Sequence, residues 1–524
     1  MSRTMTQELK DPKQVKVMFF RPGVVTVVKG FENAVGYSIP LGILYLSSML
    51  KRDGYMNISF FDNLLEGRDD EGIRTKLGDE RPDILAITTT TPTLLMCKSM
   101  AAISKSVSKD CLVVLGGPHA SSLPIETFKD KNVDALIVGE AEYTFLETVQ
   151  KFSRGESLAG IKGLYSRDPL TGESLYPGPR HPPENLDDIP LPDRGMLDMT
   201  KYGPSFVRKN ARVKGDNMMI GRGCSWGICT FCSRSVYGEG PMVRNRSVEN
   251  IMEEIRELYY KYDVREILFN DETFPGDRKL VHALCKQIIK EKIKIGWSCQ
   301  ARVEQIDAPT ARLFKKAGCN LIAFGIEHGH LKMRGMIKKG TPEKVILRTV
   351  RTCRRYGIRV TTGFILGLPG ENKETIKHTI RLVKKIQPDF IGFNIFQPYA
   401  GSRLFTEAIE QGLIDPADYE SYHNFGDDGL PKRSFCDLTT TELAQYQKRF
   451  LREYYFSPDY IFMKLKKVQS MQDVISGVKG LWALTKNQMA IGSALRTLKS
   501  SPSANETLSA VSDLEEERAG FQNL

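Results

Sequence analysis

Apolar and polar positions follow two alternating periods over residues 1–155, which indicates short buried strands separated by helices. Mainly apolar runs lie at residues 15–20, 58–61, 84–88, 112–115 and 135–138. Residues 40–52 repeat leucine and methionine at helical spacing, and Gly54 follows them as a stop signal. Strands and helices in this order predict a doubly wound parallel sheet, whose ligands bind at the carboxyl ends of the strands.

A second alternation of strands and helices runs from residue 216 to residue 420. Its predicted strands are 218–220, 266–270, 295–300, 321–326, 360–366 and 390–396, and its predicted helices are 247–262, 280–292, 309–317, 342–356 and 373–386. Ser247 suits an N-cap, and Pro309 and Pro342 suit a first helical position, where the missing N–H costs nothing. The order predicts an α/β domain that forms a partial (β/α)6 barrel, with function at the carboxyl ends of its strands.

The remaining segments lack this alternation. Residues 156–215 are rich in proline and glycine, so we expect a connector with a short hairpin around Gly172. We expect helices over residues 421–499 and a disordered tail over residues 500–524. The helices between residues 457 and 486 combine apolar and lysine positions, which suits either an anionic membrane face or, as we favour, the edge of the barrel.

The composition is ordinary for a globular protein, with 41% hydrophobic and 26% charged residues. The N-terminus is polar and no apolar run is long enough to cross a membrane, so we expect a cytoplasmic protein, with peripheral contact on the cytoplasmic face of a membrane as an alternative. The net charge of +11 fits an anionic partner, but the basic residues are spread out. They form no recognisable nucleic-acid module, and we expect no nucleic acid partner.

Cys224, Cys229 and Cys232 lie close together in a loop that contains several glycines. Thiolates hold iron–sulfur clusters, and a cubane held by three of them leaves one iron open for an outside ligand. A structural zinc site would need a fourth protein ligand, and no histidine or other cysteine lies nearby in the sequence. The remaining cysteines are scattered, mostly in apolar segments, without the spacing of a disulfide framework, so we expect reduced core residues.

Polar and small residues also recur where the predicted strands end. In the second alternation they are Asp271, Glu272, Gln300, Arg302, Glu327 and Glu371, a set that can bind an ammonium group, a ribose or a cation. In the first alternation they are Thr89, Thr91, Gly116, Gly117, His119 and Glu140, which include small residues that admit a large flat ligand. Ordinary strand-end loops have a similar composition, so neither set alone decides the function.

The cysteine loop, with Phe231 just before its last cysteine, resembles the cluster loop of radical S-adenosylmethionine (SAM) enzymes. This resemblance implies that Cys224, Cys229 and Cys232 hold a four-iron four-sulfur cluster whose open iron is chelated by SAM. The spacing departs from the family, because residues 225–228 place one residue more than usual between the first two cysteines. We expect Gly227 to let the loop absorb the extra residue.

A sheet of the first kind placed before such a loop resembles the cobalamin-binding subgroup of radical SAM enzymes. The resemblance implies that the strand ends around Thr89, Thr91, Gly116, Gly117, His119 and Glu140 contact cobalamin. The Asp-x-His-x-x-Gly sequence that supplies a cobalt ligand in other cobalamin proteins is absent, since Arg21-Pro22-Gly23 follows the first strand. We therefore favour a loop-packing or corrin-contacting role for His119 over a role as cobalt ligand.

The same resemblance arranges the other candidates around SAM. It places Asp271 near the methionine amino group, Glu327 near the ribose or the carboxylate, and Gln300 and Arg302 at the same mouth. Gly363, Gly367 and Glu371 belong to the glycine-rich segment on the adenine side, and Phe393, Asn394 and Phe396 would line the adenine.

Three functions are compatible with this resemblance. The first is radical C-methylation of an unactivated carbon, with cobalamin as methyl donor. The second is oxidation, cyclisation or ring rearrangement of a lipid- or tetrapyrrole-like substrate, as in the anaerobic magnesium-protoporphyrin ester cyclase, and the third is an inert cobalamin- or metal-binding sensor. A methylthiotransferase is disfavoured because a second cluster of three cysteines is missing. The expected partners are a small-molecule, lipid or peptide substrate and an electron donor such as flavodoxin or ferredoxin.

Overall fold

The computed structural model describes residues 11–23, 36–204, 213–233, 242–274, 276–422 and 432–465. The helices expected beyond residue 465 and the tail 500–524 lie outside these residues. Among the described helices, none is both long and apolar enough to cross a membrane.

The first part of the chain forms a seven-stranded sheet in the order β3-β1-β4-β5-β6-β7-β8. Its strands and the short pair beside it are β1 (Val17–Arg21), β2 (Gly36–Tyr37), β3 (Ile58–Asp62), β4 (Ile84–Thr88), β5 (Leu112–Gly116), β6 (Ala135–Ile137), β7 (Leu164–Arg167), β8 (Ser174–Leu175) and β9 (Gly203–Pro204). The helices are α1 (Leu41–Arg52), α2 (Asn63–Glu66), α3 (Asp70–Glu80), α4 (Leu94–Val107), α5 (Pro118–Ser122), α6 (Pro124–Phe128) and α7 (Glu142–Ser153). Neighbours from β3 to β6 pair in parallel, whereas β7 and β8 add an antiparallel hairpin from the segment expected as a connector.

Successive side chains of β1 point to opposite faces of this sheet, and both faces are buried. Met18 and Phe20 pack in one apolar cluster with α3 and α4, while Val17 and Phe19 pack in another cluster with α1 and α7. A strand that is apolar on both sides is typical of a parallel sheet covered by helices on both faces. The doubly wound sheet predicted from the sequence is confirmed.

A second sheet of six parallel strands follows, with its strands in chain order, β10-β13-β14-β15-β16-β17. The strands are β10 (Lys214–Met218), β11 (Gly221–Cys224), β12 (Met242–Asn245), β13 (Val264–Phe269), β14 (Gly296–Ala301), β15 (Cys319–Glu327), β16 (Arg359–Leu366) and β17 (Phe390–Ile395), with β11 and β12 forming a separate antiparallel ribbon. The helices are α8 (Val248–Arg256), α9 (Arg278–Lys290), α10 (Ala308–Lys316), α11 (Leu331–Met336), α12 (Glu343–Arg355), α13 (Lys373–Ile386), α14 (Arg403–Glu410), α15 (Tyr419–Tyr422), α16 (Thr440–Tyr455) and α17 (Pro458–Leu465). The sheet is curled into a half-barrel, which confirms the predicted fold class.

The two faces of the second sheet have different environments. On β16, Val360, Phe364 and Leu366 point outward to the helices and are fully buried. Thr361 and Gly363 alternate with them, are less buried, and face the inside of the half-barrel. The outward face therefore forms the core of this domain, and the inward face is available for ligands.

Several helix boundaries differ from the prediction. Ser247 caps α8 by accepting a hydrogen bond from the Asn250 N–H, as expected, but α8 ends at Arg256 and a π-helical turn continues it to Lys261. Asp307 caps α10 through the Thr310 N–H, so Pro309 occupies the second helical position. Pro342 precedes α12 as its N-cap. Our placement of both prolines at a first helical position was wrong by one residue.

A fully buried ion network joins the segment before β10 to the half-barrel. Arg194 donates to Asp216 at 2.8 Å and to Glu254 at 2.7 Å, and Arg246 donates to the other oxygen of Glu254. Burial opposes ionisation of Glu254, but the two guanidinium groups outweigh this effect and hold the pKa of Glu254 below its usual value. The network fixes α8 and β10 to the preceding segment because no partner can leave without stranding a buried charge.

Candidate functional site

The first site cysteine lies at the end of a β-ribbon. Residues 218–220 were predicted as a strand, but β10 ends at Met218, and Cys224 ends β11, which pairs with β12. Gly223 has φ = +93°, and a Cβ atom there would collide with the Met242 carbonyl group on β12. Glycine at this position lets the two strands of the ribbon approach each other.

Asp271 holds the start of this ribbon. Its carboxylate accepts hydrogen bonds from the backbone N–H groups of Ile220 at 3.1 Å and Gly221 at 2.8 Å. Burial raises the pKa of Asp271 to about 7, against the opposing effect of these two hydrogen bonds. Asp271, predicted near the methionine amino group, is thus bonded to the protein backbone below the cysteine loop.

The sulfur atom of Cys224 accepts three hydrogen bonds. The Thr273 hydroxyl donates at 2.8 Å, and the backbone N–H groups of Trp226 and Gly227 each donate at 3.4 Å. Gly227 has φ = +61°, so the loop makes a left-handed turn here that aims its backbone N–H at the sulfur. Sulfurs that accept hydrogen bonds in this way are suited to carry thiolate charge.

The rest of the cysteine loop is bonded to the turn that follows α11 and to α14. The Trp226 indole N–H donates to the Lys338 carbonyl at 2.7 Å, and the Thr230 N–H donates to the Ile337 carbonyl at 3.3 Å. The Thr230 carbonyl accepts from the Leu404 N–H at 2.9 Å. Phe231 packs in an apolar cluster with Met333, Ile337, Leu368 and Phe396. The loop is therefore held at the carboxyl end of the half-barrel.

Cys229 and Cys232 complete the trio. Burial raises the pKa of Cys229, an effect that Lys339 and Arg302 partly offset, and burial raises the pKa of Cys232 to about 12, reinforced by Glu272 and the other two cysteines. Among the described residues, no three His, Cys, Asp or Glu side chains are placed to hold a single metal ion. Thiolates that bind different irons of a cubane need not converge on one point.

The inner face of the half-barrel contains a row of glycines. Gly325, Gly363 and Gly392 are direct neighbours on β15, β16 and β17. A Cβ atom at Gly363 or Gly392 would meet nothing within 4 Å, so these positions border open space. Gln300 and Asn394 are exposed on the same inner face. The row forms a flat floor, with amide side chains beside it, that a nucleoside-sized ligand can occupy.

Phe393 departs from the prediction that it lines the adenine. It alternates with Asn394 on β17, so it points outward and stacks on Phe450 of α16 at a centroid distance of 4.3 Å. Asn394 remains on the inner face. The difference follows from the two-residue period of a strand, which puts neighbouring residues on opposite faces.

Arg302, Glu327 and Lys339 surround the space beside the cysteine loop. The Arg302 guanidinium stacks on the Trp226 ring at 4.0 Å, and its Nη1 atom is buried without a hydrogen-bond partner among the described residues. Glu327 pairs with Lys339 at 3.0 Å and has φ = +67°, a left-handed conformation that is uncommon outside glycine. An unpartnered buried donor next to an ion pair suits a ligand with an acidic group.

Two predicted SAM contacts have other partners. Glu371 is fully buried and accepts from His328 at 2.6 Å and from the Gly367 N–H. Gly367 has φ = +82°, and a Cβ atom there would lie 3.0 Å from Leu443 of α16. These two residues shape the turn after β16 and attach it to the outer helix, whereas Gly363 of the same segment faces the interior.

The predicted cobalamin contacts of the first sheet are brought together. Gly117 has φ = +102°, and its Cβ position is only 2.8 Å from the Thr89 carbonyl oxygen, so only glycine allows the loops after β4 and β5 to pack. Thr91 bonds His119 Nδ1 at 3.0 Å, and the His119 ring stacks on Tyr422. Burial lowers the pKa of His119 to about 4. Gly116, beside them, has an open Cβ position whose nearest neighbour is 3.9 Å away.

Glu140 joins the two halves of the molecule. It pairs with Arg222 at 2.6 Å and with Arg244, while Glu142 pairs with Arg222 at 2.5 Å. Arg222 and Arg244 are opposite each other on the ribbon that carries Cys224. Both oxygens of Glu140 are engaged in these pairs, so this residue binds the ribbon rather than standing free for cobalamin.

Several residues of this site could not be identified from the sequence. Thr273, Lys339, Arg222 and Arg244 were not selected, because each gains its importance from a partner that is distant in the chain. A single indication existed for Thr273, which follows Asp271 and Glu272 at the end of a predicted strand. The arginines of the ribbon carried no local pattern.

Comparison with known proteins agrees with the geometry. Residues 218–383 match the model of the radical SAM superfamily, and residues 29–149 match that of the B12-binding domain. The chain is 30% identical over 447 residues, 85% of its length, to an uncharacterised methyltransferase of Pyrococcus horikoshii, of which 94% is covered. It is 28% identical over 416 residues to the anaerobic magnesium-protoporphyrin IX monomethyl ester cyclase of Rubrivivax gelatinosus, covering 78% of this chain and 72% of the cyclase.

A solved structure shares the fold. The radical SAM methyltransferase TsrM from Kitasatospora setae, with cobalamin and a [4Fe–4S] cluster bound, superposes with a TM-score of 0.66 at 17% identity, covering 85% of this chain and 90% of that one. A radical SAM half-barrel and a B12-binding sheet therefore define the class of protein. The chain belongs to the cobalamin-dependent radical SAM enzymes.

The cofactors of this enzyme are a four-iron four-sulfur cluster, SAM and cobalamin. The residues present fit each group. Cys224, Cys229 and Cys232 would supply the three thiolates that such a cluster needs, the open floor at Gly363 and the unpartnered Arg302 donor suit SAM, and the small residues at the ends of β4 and β5 allow a flat ligand to approach the backbone. The predicted family, enzyme class and cofactors are confirmed.

Proposed function

We propose that this enzyme methylates an unactivated carbon of a small molecule, using one SAM as radical source and a second SAM as the origin of the methyl group. The observation that carries the proposal is the ion bridge from Arg222 to Glu140 and Glu142. Arg222 lies two residues before Cys224, and the two glutamates follow β6 at the carboxyl end of the first sheet. The bridge thus connects the cluster ribbon to the edge of the sheet that takes cobalamin.

The bridge is buried, so neither side can separate from the other without leaving a buried charge unpaired. Arg222, Glu140 and Glu142 are all nearly buried, with side-chain exposures of 10%, 4% and 7%. Removing one partner of a buried pair costs about 3–5 kcal/mol because the other charge is left uncompensated. A substrate carbon between the two cofactor sites can then meet both of them, as methyl transfer to a substrate radical requires.

Each group of residues has a role in this proposal. Cys224, Cys229 and Cys232 hold the cluster, the glycine floor with Gln300 and Asn394 accepts the nucleoside of SAM, and Arg302 and Lys339 bind its acidic group. The loops with Thr89, Thr91, Gly116, Gly117 and His119 border the cobalamin. When bound, these cofactors supply reductive cleavage of SAM, hydrogen abstraction and methyl donation. The protein positions them and excludes water from the interior.

One C–H bond of the substrate breaks and its hydrogen goes to 5′-deoxyadenosine, while methionine is released from the first SAM. A C–CH₃ bond forms with the methyl group of the second SAM, which leaves as S-adenosylhomocysteine. The reductant supplies two electrons for each methylated product.

The test is an anaerobic reaction of the reconstituted enzyme with SAM that carries a trideuterated methyl group and with candidate substrates. Methylation predicts a product that is heavier by the labelled methyl group, with S-adenosylhomocysteine and 5′-deoxyadenosine formed in equal amounts. The alternative function is oxidation or cyclisation, which the similarity to the magnesium-protoporphyrin ester cyclase favours. It predicts 5′-deoxyadenosine with little S-adenosylhomocysteine, and that result would overturn methylation.

The substrate class, the reductant and the location of the enzyme in the cell are proposals as well. The substrate is a small molecule, with a lipid or a peptide as the alternatives, and the reductant is a one-electron carrier such as flavodoxin or ferredoxin. We place the enzyme in the cytoplasm. α17 contacts the barrel edge through Tyr460 and Lys464, which bond Asp389, as the interpretation we favour expects. Peripheral contact with a membrane is the alternative, and Ile461, Phe462 and Leu465 of α17, which are 43%, 59% and 64% exposed, would make it. Co-sedimentation with anionic vesicles tests this contact, and a protein that stays in the supernatant would contradict it.

We keep the boundaries 1–155, 156–215, 216–420 and 421–499 as a proposal for domain organisation, with one addition. The hairpin β7–β8 pairs with β6, so the first sheet draws strands from residues 164–175. Limited proteolysis that releases a stable fragment ending after residue 175 would support this extension.

A further inference from the structure

Tyr399 stands just beyond the last strand of the half-barrel, at the mouth where the cysteine loop is held. It follows Ile395, the final residue of β17, at the carboxyl end of the sheet. Its side chain is 47% exposed, and no described residue is bonded to its hydroxyl group. Burial nevertheless raises the pKa of Tyr399. A phenol that is accessible and yet surrounded by protein lies in a recess of the molecule rather than on its outer surface.

The next residue, Ala400, connects this recess to both cofactor sites. Its carbonyl accepts a hydrogen bond at 2.6 Å from the hydroxyl of Ser233, the residue after the last site cysteine. Its side chain packs in an apolar cluster with Leu94 and Leu123. Leu94 begins α4 and Leu123 follows α5, which are the helices after β4 and β5 of the first sheet. Tyr399 is therefore placed where the cysteine loop, the cobalamin loops and the mouth of the half-barrel meet.

The backbone on both sides of Tyr399 is fixed. The Phe396 N–H donates to the Leu366 carbonyl at 2.6 Å, and the Ser402 N–H donates to the Tyr399 carbonyl at 3.0 Å. Pro398 restricts the chain directly before the tyrosine. A side chain on a backbone that is already ordered can bind a ligand without a further loss of backbone freedom.

The surroundings of the phenol indicate which kind of group it can bind. Burial alone raises the pKa of Tyr399, and within the described part of the chain no charged side chain contributes to the shift. The phenol therefore keeps its proton at neutral pH and acts as a hydrogen-bond donor. A charged group of a ligand would lie here without a counterion, at a high cost in free energy. The position suits an uncharged oxygen or nitrogen that accepts a hydrogen bond.

We propose that the Tyr399 hydroxyl donates a hydrogen bond to an uncharged oxygen or nitrogen acceptor of the substrate. The tyrosine ring then borders the space in which the substrate lies between the two cofactor sites. A carbonyl, hydroxyl, ether or ring nitrogen near the methylated carbon would provide the acceptor. The inference rests on the proposed function, because it describes the substrate of that methylation. Tyr399 positions the substrate, and no electron or proton is transferred through it.

The experiment uses the reconstituted full-length enzyme with cobalamin and with SAM that carries a trideuterated methyl group. The substrate probe is a protein-free extract of small molecules from the cells that make the enzyme, and mass spectrometry measures the labelled product over a dilution series of this extract. The variants are Tyr399→Phe, which loses only the hydroxyl group, and Tyr399→Leu, which also loses the ring. The control is Tyr260→Phe, the same change at a tyrosine that is 70% exposed on the π-helical turn after α8.

We expect Tyr399→Phe to need about three- to tenfold more extract for half of the maximal rate, because one hydrogen bond between uncharged groups is lost. Tyr399→Leu should need roughly tenfold more extract or beyond, since the contact area of the ring is lost as well. The control should behave as the wild type. Without extract, 5′-deoxyadenosine formation from SAM and dithionite should be the same in all four proteins, because the cluster and SAM are held by other residues.

A Tyr399→Phe variant with the wild-type dependence on extract would overturn the proposal, because its hydroxyl group would then contact no substrate. An equal loss of 5′-deoxyadenosine in the absence of extract would overturn it too, since Tyr399 would then serve SAM or the cluster. Failure of the proposed function has a different signature. In that case the wild type itself forms 5′-deoxyadenosine but no labelled product at any dilution of the extract.

Discussion

The hydrogen bond from Thr273 to Cys224 Sγ predicts how the protein adjusts the reduction potential of its cluster. Thr273 is 6% exposed, and its hydroxyl donates to the sulfur at 2.8 Å. Reduction adds negative charge to the cluster and its thiolates, so a donor aimed at a sulfur stabilises the reduced form more than the oxidised form. Thr273→Val keeps the shape of the side chain and removes the donor, and it should lower the reduction potential.

The size of the shift follows from the strength of the bond. A hydrogen bond to a charged group contributes about 1.5–3 kcal/mol, and burial keeps it from being replaced by water. We assign roughly 1 kcal/mol to the increase in the strength of this hydrogen bond when the cluster gains an electron. Since about 59 mV corresponds to a tenfold change for a one-electron couple, the expected shift is about 40 mV to lower potential.

The assay is an anaerobic redox titration of the reconstituted protein, followed by electron paramagnetic resonance of the reduced cluster, with no substrate present. Thr273→Ser is the matched control because it retains the hydroxyl and loses only a methyl group. We expect the serine variant to stay within about 10 mV of the wild type, since its donor is intact. A valine variant with the wild-type potential would refute the reasoning, and so would a serine variant that shifts as far as valine.

Three further changes test other parts of the structure. Arg194→Gln should lower the free energy of unfolding in urea by about 3–5 kcal/mol, because it strands the buried carboxylate of Asp216 and leaves Glu254 with Arg246 alone, while Arg154→Gln at the surface should change it by less than about 0.5 kcal/mol. Gly363→Val should weaken SAM binding in equilibrium dialysis at least tenfold by filling the glycine floor of the half-barrel, with the iron content unchanged. The control is Gly78→Val, at a glycine on helix α3 that also has open space, and it should leave SAM binding intact. Asp271 keeps its proton to about pH 7 in the folded protein and loses it near 3.8 when unfolded, so its contribution to stability falls as the pH rises through this window. Relative to the wild type, Asp271→Asn should therefore gain up to about 3 kcal/mol of unfolding free energy between pH 5 and pH 8, and a constant difference would contradict the raised pKa.

Both sheets were predictable from the sequence because hydrophobic periodicity is a local property. Buried strands read as apolar runs in the first sheet, and helices between them follow their own period, so element type and order were recovered. The cysteine trio was likewise recognisable, since its three members lie within residues 224–232. These local signals were sufficient to identify the fold, the enzyme class and the cofactors.

The contacts that define the site were not predictable, because they join residues far apart in the chain. Cys224 lies on a ribbon whose second strand, β12, carries no sign in the sequence of its partner. Glu140 was selected correctly as a strand-end residue, but its arginine partners lie on that ribbon. Asp271 and Glu371 were chosen as acidic groups at strand ends, and the structure bonds both to backbone N–H groups.

The direction in which individual side chains point was the second feature that could not be predicted from the sequence. Phe393 and Asn394 look equally suited to a binding site in the sequence, yet the alternation along β17 sends one to α16 and the other to the interior. A shift of one residue in a predicted boundary reverses this assignment. For the same reason Gly363, on the inner face, borders open space, whereas Gly367, beyond the end of β16, packs against α16.

The central claim is that Cys224, Cys229 and Cys232 hold a cluster with an open iron at which SAM is cleaved. The most direct measurement is iron and sulfide analysis of the anaerobically reconstituted protein, together with 5′-deoxyadenosine formation from SAM and dithionite, for the wild type and for the variant with all three cysteines changed to alanine. The account predicts about four irons and four sulfides per chain and reductant-dependent 5′-deoxyadenosine in the wild type, with both absent in the variant. A wild type that contains zinc without sulfide, or a variant that still cleaves SAM, would contradict it.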